Sequence, residues 1–160
     1  MAKARDIPEL ASGLTFAHAA AVTVETRAAE VFDHAEKVLD TDDIERVHDM
    51  RVATRRLRAV LEIFAPCFER TLHRGVLGDV KSLADALGER RDPDVHIDVL
   101  QRFEVAVAEA DRPGVESLVA RLREDQAAGN ATVSHALQEI ERSDLRGRLR
   151  ALCEAAETTR

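Results

Sequence analysis

Between Val47 and Pro66 the chain reads VHDMRVATRRLRAVLEIFAP, with apolar groups at Val47, Met50, Thr54 (through its methyl), Leu57, Leu61 and Phe64. Steps that alternate between three and four residues place these groups on one side of a helix. They exclude a strand, whose faces repeat every second residue. At about 100° per residue, His48, Arg51, Arg55 and Arg58 form a second stripe roughly 100° round from the first. A stripe at that angle borders the buried face, so its side chains line a groove between packed helices. Arg56 points away from this row, and Pro66 marks the stop.

Helix stability gives no reason to collect positive groups on one side, because like charges one turn apart repel. An anion laid along the row would relieve that repulsion. Arginine suits phosphate in particular, since its planar fork donates two parallel hydrogen bonds. The plainer alternative is a solvated basic face with arginine stems lying over the edge of the core. For His48, packing or capping stands beside ligand contact.

The rest of the chain carries the same rhythm. A first helix is expected from Pro8 or Glu9 to Leu39, with Leu14, Ala17, Ala21, Val24, Ala28, Val31, Ala35 and Val38 as its seam. Asp40 to Asp43 is a break, and Asp42 or Asp43 is the expected N-cap of the helix carrying the basic row. A third helix is expected from Glu69 to Leu87, burying Val76, Val80, Leu83 and Leu87, with Gly88 as its end. Asp92 then caps a fourth helix with Pro93 at its first position. Arg90 and Arg91 would sit beside that helix start, either as a phosphate seat or as ordinary capping chemistry.

The fourth helix runs to Ala110 and is expected to bury Val95, Val99, Leu100, Phe103 and Val107. Asp111-Arg112-Pro113-Gly114 reads as a turn. A fifth helix follows from Val115 to Arg142, with Gly129-Asn130 as a weak point or kink. Ser143 or Asp144 caps a last helix to about Ala156. No segment has a strand pattern. The prediction is an all-α fold, an antiparallel bundle of about five to six helices forming one domain over residues 1–160.

Composition agrees, with 45% hydrophobic residues, 7 Gly, 4 Pro and no Trp or Tyr. No apolar run reaches the roughly 20 residues of a membrane span. The opening MAKARDIPEL lacks a signal-peptide core, so the expected compartment is the cytoplasm, with Cys67 and Cys153 as reduced thiols. A net charge of −7 argues at first against a polyanion partner. Its distribution argues otherwise. Residues 46–91 hold 10 Lys+Arg against 6 Asp+Glu, leaving 13 against 24 of the total 23 and 30 elsewhere.

There is no HExxH, Walker loop or dinucleotide fingerprint. His48, His73, His96 and His135 lack the spacing of a metal site, so neither a metal nor a cofactor is expected. Catalysis by this chain is not expected either. The scarcity of aromatic residues counts against single-stranded nucleic acid, which needs stacking platforms.

These residues resemble a known family. VHDMRVATRRLRAVLEIFAP followed by SLADALGERRDPDV is similar to the CHAD family, the conserved histidine α-helical domain. His48, Arg51, Val52, Arg55, Arg56, Leu57 and Arg58 fit its HxxRVxxRRLR signature. Leu83, Leu87, Gly88, Arg91, Asp92, Asp94 and Val95 fit its second segment. The resemblance implies a helical bundle that binds inorganic polyphosphate through basic faces. On this basis the expected ligand contacts are His48, Arg51, Arg55 and Arg58 on one wall and Lys81, Arg90 and Arg91 on the other. Arg74 would stand at the edge, and Arg56 would reach round. Polyphosphate granules are the place such a ligand would hold the protein.

Full members of the family resemble two similar four-helix halves, each with its own His/Arg helix. No second copy of the motif follows here, so the chain resembles about half of such a domain. A homodimer is one way to restore the pairing, with the alanine and valine seam of the first helix as the expected contact. The alternative function is a helical interaction or scaffold module that recruits another chain.

Overall fold

A computed structural model of the chain describes residues 3–8, 10 and 13–158. In chain order its α-helices are α1 (Phe16–His34), α2 (Ile44–Ile63), α3 (Arg70–Glu104), α4 (Arg112–Arg142) and α5 (Leu145–Thr158). Short 3-10 turns at Ala65–Cys67 and Glu109–Asp111 precede α3 and α4. Among the described residues there is no strand, as the sequence predicts.

α2 buries the stripe that its periodicity demands: Val47, Met50, Thr54, Leu57 and Leu61 are all at most 1% exposed. Thr54 serves the core through its methyl because its hydroxyl donates back to the Met50 carbonyl at 2.8 Å. Each large side chain buried this way contributes about 1.5–3 kcal/mol.

α1 is shorter than its apolar pattern suggests. Thr15 caps it, accepting from the His18 N–H at 3.1 Å. Just upstream Gly13 has φ +108, a backbone that no helix can pass through. The expected start at Pro8 therefore fails, and the alternative, Glu9, lies outside the described residues. At the other end Lys37 turns the chain with φ 58, which drops Val38 into the core at 1% exposure.

The largest correction is α3. The helices expected on either side of Gly88 are one helix of 35 residues with Pro93 inside it. Proline removes a backbone hydrogen bond and costs a helix interior about 3 kcal/mol. Here the neighbouring helix outweighs that local signal. Arg90 and Asp94, one turn apart, span Pro93 as a fully buried ion pair. α4 clasps the same turn: Gln126 donates to Asp94 at 2.6 Å, and Asn130 accepts from Arg90 Nε at 2.6 Å.

Gly129 does not break α4 either. A Cβ there would stand 2.9 Å from the Arg90 Cα, so glycine is what lets the two helices approach at this point. Asn130 also donates to the Leu39 carbonyl at 2.9 Å, tying the α1–α2 connection to α4.

Paired contacts fix antiparallel neighbours throughout. α2 meets α3 through Leu61 O with His73 at 2.8 Å at one end and Ile44 O with Arg91 at 3.2 Å at the other. α1 meets α5 through His18 with Glu157 at 3.2 Å and the Phe32 ring with Arg146 at 4.3 Å. Past Arg90 on α3, and before Gly129 on α4, the pair continues as an arm. Its buried apolar residues are Pro93, Ile97 and Val119. The face expected to be buried there is open instead: Val95, Val99 and Phe103 are 43%, 56% and 55% exposed.

Candidate functional site

The basic row of α2 lies at the edge of the core. His48, Arg51 and Arg58 are half-buried and Arg55 is exposed, as expected beside a buried stripe. The row is longer than its basic part. Glu45, His48, Arg51, Arg55, Arg58 and Glu62 keep the same helical spacing of three or four residues. His48 to Arg58 covers about 15 Å of helix axis.

α3 supplies the facing row: Arg74, Leu77, Lys81, Ala84, Gly88 and Arg91. Two contacts set the rows against each other. Lys81 Nζ stands 3.3 Å from Glu62 at one end, and Arg91 Nη2 stands 3.6 Å from Glu45 at the other. Between them Ala84 and Gly88 leave a shallow floor, and a Cβ on Gly88 would meet no neighbouring element within 4 Å. The result is a trough with cationic walls and a carboxylate at each end of the α2 row.

At the Glu62 end, cations from two helices converge on one atom. Arg58 Nε reaches Glu62 Oε1 at 3.1 Å, and Lys81 Nζ reaches the same oxygen at 3.3 Å. The Arg58 hydrogen bond foremost, with Lys81 beside it, holds the Glu62 carboxyl below its ordinary value of 4.5. In the middle of the row Arg51 and Arg55 have no hydrogen-bond or ion-pair partner among the described residues, and neither has Arg74 on α3. Coulomb repulsion between Arg51 and Arg55 is therefore not offset by any direct partner among the described residues.

Three of the residues expected in the site do other work. Arg90 is 0% exposed and bound to Asp94 and Asn130, so it cannot reach a ligand. No helix starts at Pro93, so the phosphate seat expected at that start does not exist. Arg91 is 15% exposed and spends its guanidinium on the Ile44 carbonyl and Glu45, which makes it a tie between helices. Arg56 is half-buried and already engaged within the fold.

Glu45 and Glu62 were legible in the sequence, since they sit on the rhythm of the basic row. The partner of Arg90 on α4, Asn130, was not, because it lies 40 residues along the chain.

Glu45, His48 and Asp49 bring ligand atoms within 4.8 Å of one another, the one such group among the described residues. His73, His96 and His135 do not join it. His73 is buried, bonded to Leu61 and stacked on Phe68 at 5.8 Å. Cys67 and Cys153 are both free. Burial, with Glu25, Glu157 and Glu154 nearby, pushes the Cys153 thiol up to about 12, so it is inert as a nucleophile. Among the described residues no helix is long and apolar enough to cross a membrane.

An all-α bundle with a cationic trough between two antiparallel helices is the class that fold and site define. The family model for the CHAD domain matches residues 23–160, and the chain belongs to that family. No curated protein and no solved structure matches it.

Proposed function

We propose that the chain is a non-enzymatic binding module for inorganic polyphosphate, or a similar linear polyanion, held in the trough between α2 and α3. His48, Arg51, Arg55 and Arg58 form one wall, and Lys81 with Arg74 forms the other. The observation that carries this reading is the convergence of Arg58 and Lys81, from different helices, on one anionic oxygen. The unpaired arginines beside it extend the same chemistry along a line. Family membership supports the ligand class. In a cell such a module would sit in the cytoplasm at polyphosphate granules.

Titration with polyphosphates of several lengths, with DNA alongside, tests the proposal. Log affinity should fall linearly with log salt, and long chains should bind more tightly than short ones. Equal affinity for DNA, or no affinity for polyphosphate, would overturn it.

His48 has a sharper test, because Glu45 and Asp49 also make it a possible metal ligand. As a hydrogen-bond donor it gains charge on protonation, so acid should strengthen polyphosphate binding. A metal ligand must be deprotonated, and acid would weaken its site. Binding that strengthens in acid and ignores a chelator supports the donor. Loss of binding to a chelator, with recovery on adding zinc, would make the cluster a metal site instead.

One observation favours the second reading, an interaction module. The exposed strip of Val95, Val99 and Phe103 recurs every fourth residue along the arm. It also relocates the proposed dimer contact. The seam expected of the first helix cannot serve, since its Ala21, Val24, Val31 and Val38 are at most 1% exposed inside the chain. A two-fold dimer through the arm should be abolished by Val99→Asp with polyphosphate affinity per chain kept, as measured by light scattering. A wild-type chain that stays monomeric at high micromolar concentration, with and without long polyphosphate, would exclude it.

A further inference from the structure

We propose that Glu62 is an internal competitor for the trough: its carboxylate holds the seat of one ligand phosphate and must be displaced for a polyanion to bind. The inference rests on the functional reading above and adds a residue that decides which anions succeed.

The geometry is that of a ligand. One oxygen of Glu62 takes Arg58 Nε at 3.1 Å and Lys81 Nζ at 3.3 Å, so it bridges the two walls of the trough as a phosphate oxygen would. Stability does not explain the arrangement. The Glu62, Arg58 and Lys81 side chains are 43%, 41% and 43% exposed, and ion pairs that open to water contribute little to folding. The carboxyl is charged at neutral pH, as any exposed glutamate is, and the Arg58 hydrogen bond with Lys81 beside it lowers its pKa further. An incoming anion therefore meets a filled seat at this end and unpaired Arg51 and Arg55 beyond it.

Selection follows from that difference. An anion with one charged group gains only what Glu62 already supplies, and exchange is close to neutral. A chain with closely spaced charges gains Arg51 and Arg55 as well, which offsets the displacement. Glu62 thus raises the threshold against weak or sparsely charged anions.

Glu62→Gln removes the charge at nearly constant shape and should tighten tripolyphosphate binding about three- to tenfold, the range for losing exposed competing ion pairs. It should also raise affinity for poly-glutamate, a carboxylate polymer, and so narrow the preference for phosphate. Glu89→Gln makes the same charge change on the far side of α3, in the cleft toward α4, and should alter affinity less than about twofold. Equal gains from both variants would mean diffuse charge and would overturn the proposal. So would wild-type binding that Glu62→Gln leaves unchanged or weakens. If neither wild type nor variant binds polyphosphate, the functional reading falls and this inference with it.

Discussion

Arg90→Ala is expected to cost about 3–5 kcal/mol of folding stability, the range for stranding one partner of a buried ion pair. The loss is large against the roughly 5–15 kcal/mol that holds a domain of this kind together. Asp94 is 1% exposed and would keep its carboxylate with Gln126 and a distant Arg91 in place of a full counter-charge. Arg90 Nη2 and Asp94 Oδ2 already lack hydrogen-bond partners, so the network has nothing in reserve. Replacing both residues, Arg90→Met with Asp94→Leu, should recover most of the loss because no charge is then left buried. Urea denaturation of the three proteins measures this. A fully stable Arg90→Ala that loses only polyphosphate affinity would return Arg90 to the ligand wall, where its place in the sequence first suggests it belongs.

Arg55→Ala should do the opposite: leave the fold intact and weaken polyphosphate binding by about 1–3 kcal/mol, the range for a charge-assisted hydrogen bond. Arg55 is exposed in mid-helix and has no partner among the described residues. Arginine and alanine are both good helix formers, so far-UV circular dichroism should barely change. Arg150 provides the comparison, 78% exposed on α5 and paired with Glu154 at 3.3 Å. Its replacement by alanine should cost less than about 0.5 kcal/mol in either stability or affinity. Equal losses of affinity from the two variants would indicate diffuse attraction to the whole surface.

The contrast between Arg90 and Arg55 shows what the sequence could convey. The α2 stripe was legible because helical period alone fixes which residues turn inward, and the basic row follows from the same angle. Gly88 and Pro93 read locally as an end and a start, yet α3 runs through both. What overrules them is a clamp from Gln126 and Asn130 on α4, far along the chain, and no local pattern announces it. Gly129 reads locally as a weak point or kink for the same reason. Its role appears only when the Arg90 backbone is beside it. Val95, Val99 and Phe103 have the spacing of a buried face, but periodicity records that a helix is amphipathic and not whether the chain supplies the partner.

An NMR titration that follows arginine Nε–H and lysine ammonium signals against long-chain polyphosphate tests the trough most directly. Arg51, Arg55, Arg58 and Lys81 should shift first and together, while Arg121 on the arm and Arg150 on α5 stay still. Shifts that begin on Arg121 and Arg150, with the α2 row and Lys81 unmoved, would contradict the trough as the binding site.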